Sequence, residues 1–279
     1  MTALRKLNLI SRIAPTPSGF LHIGNAYNFL LTYLLTKANN GYLHLRIDDY
    51  DLSRYREKYV QNIFDVIEFL GIKYDSGAKN VSEFENKFSF KLRLNEYEKN
   101  LQNLKNTYYC SCTKTTQNAY KNGVYQGLCK NRKLNFQKDK TALRLDTKSE
   151  VLMGDFVIYK KDKTPSYNYA SVIDDERLGV NFIVRGDDLK QCSQAQIYIA
   201  KMLGFKLQNA KIIHHKLLLK DGKKLSKSAN APAIDFSLGA KFYYKILADE
   251  LKLNPKSAQN LDSLLDEIID KNLHKLHEI

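Results

Sequence analysis

RIAPTPSGFLHIGNAY, residues 12–27, is the stretch that decides the predicted fold. Residues 7–14 are apolar enough to form a buried strand, and Pro15, Pro17 and Gly19 then interrupt it. Further along the stretch, apolar residues return at the spacing of a helix. The sequence therefore predicts a strand, a turn and the start of a helix.

The start of this helix, from Gly24 onward, is a candidate anion site. Backbone N–H groups at a helix N-terminus lack partners within the helix, and the positive end of the helix dipole lies behind them. Such a site binds phosphate, and His22 and Asn25 lie where their side chains could add donors. A turn with Gly and Pro is also the ordinary connection between a strand and a helix, so this turn alone leaves both interpretations open.

A second motif, KKLSKS, occupies residues 223–228, far downstream of the first. It lies between a turn and an Ala-Pro segment. One interpretation is a flexible basic loop without further function. The other is a mobile loop that carries Lys227 onto phosphate groups as negative charge develops on them.

The composition predicts a cytoplasmic α/β protein with a polyanionic partner. Its 279 residues can bury a sizeable core in one or two domains. Forty-four Lys and Arg against thirty Asp and Glu give a formal charge of +14, which does not by itself distinguish RNA from DNA. The sequence has no signal region and no apolar run long enough to span a bilayer, so we expect no membrane contact.

Strands and helices alternate after the first helix. The predicted strands lie at 42–47, 153–159, 168–173, 181–184 and 211–219, and the predicted helices at 59–70, 92–104, 194–203 and beyond Asp235. The βαβα order at the start predicts a parallel sheet with right-handed crossovers. Asp48, at the end of the second strand, should then lie at the same sheet edge as the first turn.

The order of the predicted strands and helices, together with the local composition, predicts four regions. Residues 1–75 form the first half of a nucleotide-binding α/β domain, and residues 181–235 form its second half with the KKLSKS loop. Residues 76–180 are polar and rich in Asn and Lys, which indicates an inserted domain. Residues 236–279 form a short helical C-terminal region.

Three of the four cysteines have a spacing that suits a metal ion. Cys110 and Cys112 are followed by Cys129, and Tyr125 is a possible fourth ligand. Zinc takes four ligands in a tetrahedron, which three thiolates and one oxygen would supply. Ordinary thiols in a Lys-rich loop are the alternative, and a C-x-C pair does not decide between the two. Cys192, alone on a predicted helix, is expected to be a small buried side chain.

Asp48 and Arg185 each follow a predicted strand and are candidates for binding charged groups. The ordinary alternatives are a solvated acidic turn for Asp48 and a surface ion pair for Arg185. A carboxylate facing the first turn can instead receive an ammonium group, and an Arg in a cleft can bind a carboxylate through two hydrogen bonds. Tyr167 is a further candidate for binding a substrate, to be weighed in the same way.

Taken together, the first turn and KKLSKS resemble the HIGH and KMSKS signatures of class I aminoacyl-tRNA synthetases. The segments RIDDYD, YYCSC with GVYQGLC, PSYNYASVIDD, IVRGDDL and KKLSKSANAPAI resemble the glutamate subclass, over residues 12–234. The resemblance implies a Rossmann-type α/β fold with an inserted zinc-containing α+β acceptor-like domain and a short helical C-terminal region. It also favours the zinc interpretation of the cysteines.

The resemblance implies a role for each matching residue. Glutamate would contact Arg12, Ile13, Ala14, Pro15, Thr16, Asp48, Tyr167 and Arg185, and ATP would contact His22, Lys224, Ser226 and Lys227. The catalytic residues would be His22, Asn25 and Lys227, and one structural zinc would bind Cys110, Cys112, Tyr125 and Cys129.

Two residues depart from the family pattern and one supports the choice of substrate. Asp48 replaces the usual Glu, and Asn25 replaces the final His of HIGH. Arg185 favours glutamate, because the glutamine-specific enzymes have a neutral residue there. A buried cation opposite a neutral amide would lose its hydration without gaining a countercharge.

The function that the resemblance implies has two steps. ATP, with Mg²⁺ on its leaving phosphates, activates L-glutamate to glutamyl-adenylate without tRNA. The glutamate then passes to the queuosine base of tRNA(Asp), because the anticodon-binding region of longer family members has no counterpart after the KLSKS loop. The alternatives are a truncated enzyme that charges tRNA(Glu) and a non-catalytic RNA-binding paralogue. We expect a monomer.

Overall fold

The computed structural model describes residues 9–220, 223–224 and 232–273, with the backbone alone for 219–220 and 223–224. These residues belong to two compact units. The first draws on Met1–Ser89, Val180–Asp188 and Ala210–Ile279, and the second on Phe90–Gly179 and Leu189–Asn209.

Short strands and helices alternate along the chain. The strands are β1 (Ile10–Ile13), β2 (Tyr42–Leu45), β3 (Thr107–Cys110), β4 (Tyr120–Lys121), β5 (Val124–Tyr125), β6 (Ala142–Leu145), β7 (Phe156–Tyr159), β8 (Phe182–Gly186), β9 (Lys211–His215), β10 (Leu219–Lys220) and β11 (Lys223–Lys224). The helices are α1 (Ile23–Ala38), α2 (Glu57–Phe69), the single turn α3 (Val81–Glu83), α4 (Leu94–Leu101), α5 (Tyr167–Arg177), α6 (Lys190–Leu203), α7 (Ala240–Glu250) and α8 (Leu261–Asp270).

Parallel strand pairs form the centre of the first unit. β1 pairs with β2, and β8 pairs with β9, both in parallel. The two pairs meet where β1 and β8 begin, because the Asn181 amide donates to the Ile10 carbonyl at 3.0 Å. Arg12 on β1 and Arg185 on β8 therefore lie on adjacent strands that run toward the same edge.

The core of the first unit is built around α1. Four of its leucines, Leu30, Leu31, Leu34 and Leu35, have no exposed surface. Their positions cover more than one face of the helix, which is explained by strands on one side and by α7 and α8 on another.

The second unit contains a three-stranded antiparallel sheet in the order β3-β6-β7, packed with α4, α5 and α6. A buried polar network joins α5 to α4 and to Arg93, the residue directly before α4. Arg93 donates to both carboxylate oxygens of Asp174 at 2.9 Å, and the Tyr97 hydroxyl donates to the same carboxylate at 2.9 Å. Removing one partner would leave a buried charge uncompensated, so this network fixes how α5 packs.

The predicted strand at 168–173 is wrong, because these residues lie in α5. Pro165 and the N-cap Ser166 come directly before the helix. Seven consecutive residues, Tyr169 to Asp175, are buried, so this part of the helix has no solvent-exposed face. An uninterrupted buried run does not distinguish a helix from a strand by its periodicity.

The other predicted elements are present with shifted bounds, and the predicted strand at 211–219 divides into β9 and β10. The compact units follow a different division from the four predicted regions, which remain a prediction. Residues 76–89 and 236–273 pack within the first unit, whereas 189–209 pack within the second. None of the helices among the described residues is long and apolar enough to span a membrane.

Candidate active site and candidate metal centre

His22 begins α1 and is held by its own helix start. Its Nδ1 accepts a hydrogen bond from the Gly24 amide at 3.1 Å, and its backbone amide donates to Asn25 Oδ1 at 3.0 Å. These reciprocal bonds form a capping box. Because Nδ1 accepts, the ring carries its proton on Nε2, which leaves an N–H donor on the far side of the imidazole.

The amides of this helix start are used within the protein. Gly24 donates to the imidazole of His22, and Asn25 and Ala26 donate to the His22 carbonyl at 2.8 and 3.2 Å. The expectation that these amides are free for a phosphate is therefore wrong for these three residues. The donors that the site offers to an anion are side-chain N–H groups, and the N-terminal end of the helix dipole adds to them.

The segment after KKLSKS returns to the first turn. β10 and β11 form a short antiparallel ladder that leads into the motif. His22 and Ala233 then form an isolated antiparallel bridge, and the Ile234 amide donates to the Leu21 carbonyl at 2.9 Å. The predicted Ser226 and Lys227, and the side chain of Lys224, lie outside the described residues. Both backbone anchors of the loop belong to the first unit.

Arg12 and Arg185 are buried cations in the first unit, with 5% and 3% of their surface exposed. Each is near the end of its parallel strand, at the edge where α1 begins. A guanidinium at such a depth requires anionic or hydrogen-bonding neighbours. Two cations on adjacent strands suit a dicarboxylic ligand, since each can bind a carboxylate through two parallel hydrogen bonds.

Asp48 lies beside the first turn, as predicted from strand topology. Its amide donates to the Pro15 carbonyl at 2.8 Å. Its carboxylate, which is 1% exposed, accepts from Arg46 Nε at 2.6 Å and from Arg46 Nη2 at 3.0 Å. The sequence analysis did not identify Arg46, although it lies within the RIDDYD segment. A carboxylate has about four lone-pair positions, so a carboxylate can accept hydrogen bonds from more than one cationic group.

The remaining predicted glutamate contacts differ in what they can offer. The side chain of Ile13 is 1% exposed and packs in the core, so only its backbone could touch a ligand. Ala14 and Thr16 are half-buried, and Pro15 is buried. Tyr167 is half-buried at the start of α5 and belongs to the second unit.

His215 is a buried polar residue that the sequence analysis missed. Its Nδ1 lies 2.8 Å from the Lys216 carbonyl, so this nitrogen carries the proton and donates. Its Nε2 consequently accepts from Asn28 Nδ2, at 3.1 Å. Burial lowers the pKa of His215, against smaller opposing effects of the Lys216 carbonyl, Asp187 and Asp188. The pair His214 and His215 at the end of a predicted strand was the available signal.

The three predicted cysteine ligands come together in the second unit. The Sγ atoms of Cys110, Cys112 and Cys129 all lie within 4.8 Å of one another. The Tyr125 hydroxyl lies 3.3 Å from the Cys110 sulfur and 3.6 Å from the Cys112 sulfur, and Cys112 and Cys129 are 3.5 Å apart. Tetrahedral ligation with Zn–S distances of about 2.3 Å places sulfurs about 3.8 Å apart, so this group fits a zinc ion.

Positive groups surround this cluster and favour thiolates. The Arg144 guanidinium lies 3.8 Å from the centre of the Tyr125 ring, and Arg132 Nη1 lies 3.8 Å from the Cys129 sulfur. Burial raises the pKa of Cys129, but hydrogen bonds from Ser111, Tyr125 and Cys112 outweigh it and bring the pKa to about 6. Burial raises the pKa of Cys112.

The fourth cysteine, Cys192 on α6, is half-buried, which corrects the expectation of a buried side chain.

Comparison with known proteins identifies the domain. Residues 8–135 and 128–238 match the family model described as tRNA synthetases class I (E and Q), catalytic domain. A Glutamate--tRNA ligase of Carboxydothermus hydrogenoformans is 32% identical over 259 residues, which are 80% of this chain and 53% of that protein. The ligase of the same name from Aquifex aeolicus is 30% identical over 261 residues, 80% of this chain and 52% of that protein. The chain thus spans about half the length of these relatives.

Solved structures share the fold. A glutamate tRNA ligase from Elizabethkingia meningosepticum, in complex with its amino acid, superposes with a TM-score of 0.70 at 20% identity, over 97% of this chain and 66% of that one. The methionyl-tRNA synthetase of Mycobacterium tuberculosis gives a TM-score of 0.57 at 11% identity, over 86% and 63%. With the match to the family model, these likenesses show that the chain belongs to the class I tRNA synthetases of the E and Q group and carries their Rossmann-like catalytic domain.

Proposed function

We propose that this chain activates L-glutamate with ATP to form glutamyl-adenylate. The observation that carries the proposal is the backbone pairing of Ala233 with His22, because it joins the end of the KKLSKS loop to the start of α1. In class I synthetases the two corresponding motifs act together on ATP. The similarity to ligases named for glutamate supports the choice of amino acid.

Arg12 and Arg185 hold the side-chain carboxylate of glutamate in this proposal. Both are buried, and they lie on adjacent strands of one unit. Asp48, which lies beside the first turn, receives the ammonium group. Tyr167 contacts the amino acid by resemblance to the family motif. A carboxylate forms charge-assisted hydrogen bonds with these guanidinium groups, whereas the neutral amide of glutamine forms weaker ones, and this difference is the physical basis for selecting glutamate.

In the chemical step, one oxygen of the α-carboxylate forms a bond to the α-phosphorus of ATP. The bond from that phosphorus to the bridging oxygen breaks, and pyrophosphate leaves with the electron pair. The Nε2–H of His22 and the ammonium of Lys227 stabilise the charge that develops on the phosphates. Bound Mg²⁺ would supply further neutralisation of the leaving pyrophosphate. Positioning and electrostatics carry this step, and no covalent enzyme intermediate is needed.

We also propose that Cys110, Cys112, Tyr125 and Cys129 hold one structural zinc ion. Their separations and their cationic surroundings fit such an ion. The metal would join β3, β5 and the loop that follows into one folded segment, since a zinc site of this kind contributes directly to folding.

The proposed acceptor is a hydroxyl of the queuosine base in tRNA(Asp), as in the glutamyl-Q tRNA(Asp) synthetases. Its oxygen forms an ester with the glutamyl carbonyl carbon, the mixed anhydride bond breaks, and AMP leaves while the hydroxyl proton passes to it or to water. The second candidate is the 3′ end of tRNA(Glu), which the names of the relatives favour. Both acceptors use the same adenylate.

The test of the first step is exchange of labelled pyrophosphate into ATP with glutamate, glutamine or aspartate, with and without tRNA. We expect exchange with glutamate alone in the absence of tRNA. A strict requirement for tRNA(Glu) would favour the second candidate, and no exchange under any condition would overturn the proposal.

The acceptor is then tested with labelled glutamate. Three RNAs are compared: queuosine-containing tRNA(Asp), the same tRNA without its 3′-terminal adenosine, and tRNA(Glu). Label on both forms of tRNA(Asp) supports queuosine, because the shortened form lacks the usual acceptor. Label on tRNA(Glu) alone refutes it. A tRNA(Asp) transcript without queuosine is the matched negative control.

A further inference from the structure

Asn62 is a buried polar residue of α2 to which the proposed chemistry gives no role. It is 7% exposed, and the other buried residues of this helix are all apolar: Val60, Ile63, Val66 and Ile67. Asn is a poor residue for the interior of a helix, because its side chain competes with the backbone for hydrogen bonds. A buried side-chain amide also loses its hydration. An Asn at this position therefore costs stability unless its side chain has a partner.

The partner of Asn62 is the backbone of the first turn. Asn62 Oδ1 accepts a hydrogen bond from the Leu21 amide at 2.9 Å, and the two residues are 41 positions apart in the chain. Leu21 lies between β1 and α1 and belongs to neither element. The side chain of Asn62 therefore takes the place of the backbone carbonyl that a strand or a helix would supply to this amide.

A second contact holds the same turn to α2. The ring of Phe20 meets the ring of Tyr59 edge to face, with the ring centres 5.2 Å apart. Tyr59 and Asn62 are three positions apart in the helix, so their side chains are neighbours on its surface. The adjacent turn residues Phe20 and Leu21 thus contact two neighbouring residues of α2. One hydrogen bond and one aromatic contact fix this part of the turn.

Leu21 is also held through its carbonyl, by the segment that follows the KKLSKS motif. The Ile234 amide donates to this carbonyl at 2.9 Å. The side chain of Leu21 is 1% exposed and packs in the core of the first unit. The next residue is His22, the N-cap of α1. Because consecutive Cα atoms lie at a fixed distance of about 3.8 Å, a displacement of Leu21 would also displace His22.

We propose that Asn62 is a positioning residue for the activation of the amino acid, and that it acts through Leu21 on His22. Removal of its side-chain oxygen leaves the buried Leu21 amide without this acceptor, so the turn shifts to find another. The imidazole of His22 then loses its alignment with the phosphates of ATP. A displacement of about 1 Å can lower a rate about 100-fold. The inference rests on the proposed function, because that function assigns His22 to ATP.

A purely structural role of Asn62 is the alternative. In that case Asn62 only satisfies the Leu21 amide, and its removal lowers the fraction of folded protein without changing the folded molecules. The two roles differ in how they depend on His22. A positioning effect that acts through the imidazole disappears when the imidazole is absent, whereas a loss of folded protein is the same with and without it.

The test is a double-mutant cycle on the full chain, measured by glutamate-dependent pyrophosphate exchange. The variants are Asn62→Leu, which removes the acceptor at similar volume, Asn62→Asp, which keeps an oxygen at the same place, and His22→Asn. We expect Asn62→Leu to lower exchange at least about tenfold in the wild type but less than about twofold in the His22→Asn background. Asn62→Asp should retain exchange within about threefold of the wild type, since the acceptor remains.

Ile67→Ala is the matched control, because it removes buried atoms from α2 farther along the helix. It should lower exchange by the same factor in both backgrounds. Hydrogen exchange of the Leu21 amide measures the bond itself, independently of activity. In Asn62→Leu, the protection of Leu21 should fall at least about tenfold more than that of Leu30 in α1, whereas in Ile67→Ala the two should change together.

An equal loss of pyrophosphate exchange in both backgrounds, or wild-type exchange in Asn62→Leu, would overturn the inference. Unchanged protection of the Leu21 amide in Asn62→Leu would overturn it as well. Asn62→Ala takes the same place in the cycle if Asn62→Leu does not fold. Absence of exchange in the wild type would instead be a failure of the proposed function, and the protection of Leu21 would still show whether Asn62 holds the turn.

Discussion

His22 in the first turn forms a backbone bridge with Ala233, which follows the KKLSKS motif. His22 is also the N-cap of α1, so one residue joins three parts of the first unit: the turn, the helix start and the end of the loop. Its imidazole Nδ1 accepts from the Gly24 amide, so the ring proton is on Nε2. The capping role of His22 and its proposed role toward ATP would therefore use different atoms of the ring and can be separated by mutation.

We expect His22→Asn to lower glutamate-dependent pyrophosphate exchange about 100-fold or more, because it removes an N–H donor to the phosphates. Asn is itself a good N-cap, so the free energy of unfolding in urea should change by less than about 0.5 kcal/mol. The matched variant is Asn25→Ala, which keeps the imidazole and removes one capping bond, and it should destabilise by about 1 kcal/mol. Equal exchange in His22→Asn and wild type would remove His22 from the chemistry.

Much of the first unit was predictable from local patterns. The Pro- and Gly-rich turn between β1 and α1, the apolar periodicity of α2 and the Gly71 that follows it at a φ of 66° are all visible in the sequence. Parallel strand order then placed Asp48 beside the first turn, because strand ends share one edge. These predictions succeed because each depends on the spacing of apolar residues along the sequence or on a Gly or Pro in a turn.

Two of the three features that the sequence did not reveal depend on long-range contacts. The exception is the local pair of Arg46 with Asp48, which was missed although both residues lie in the RIDDYD segment. His215 meets Asn28 across a large separation in the chain. The sequence of α5 shows no amphipathic periodicity, because the surrounding elements bury the helix on most sides. The contact of His215 with Asn28 and the burial of α5 have no local signature, so sequence alone could not identify them.

Arg185→Gln should change amino acid selection. We expect exchange with glutamate to fall about 100-fold, because a charge-assisted contact with the side-chain carboxylate is lost. Exchange with glutamine should fall less or rise, so the ratio of kcat/KM for the two amino acids is the quantity to measure. Arg177→Gln is a control from the surface, with 38% of its side chain exposed. An unchanged ratio in Arg185→Gln would show that this residue does not contact the side chain of the amino acid substrate.

Zinc should be present and should support the second unit. We expect elemental analysis to give about one zinc per chain, and chelation to reduce the stability of this unit substantially, since structural zinc contributes on the order of 10 kcal/mol in small domains. Near-ultraviolet circular dichroism of the tyrosines would detect the loss of tertiary structure in this unit. Cys110→Ser should abolish retention of the metal, whereas Cys192→Ser should retain it. Well under one zinc per chain in the wild type would remove the site.

His215 should make the first unit sensitive to acid. Burial lowers its pKa below the usual 6.5, so the unfolded chain takes up a proton that the folded chain resists. Its contribution to stability is therefore present above 6.5 and decreases as the pH falls from there toward the lowered pKa. In His215→Gln, the free energy of unfolding should depend less on pH over this window. Identical pH profiles for the variant and the wild type would contradict a neutral, buried His215.

Lys227→Ala distinguishes catalysis from simple RNA binding. If the KKLSKS loop acts on ATP, removal of this ammonium should lower glutamate-dependent exchange by about 100-fold or more, because it stabilises the departing pyrophosphate. The affinity for RNA should change by no more than the loss of one exposed charge, which Lys245→Ala on α7 measures independently. Normal exchange in Lys227→Ala would refute the proposed role of this loop. If the RNA affinity collapsed instead, the chain would act through RNA binding by the loop itself.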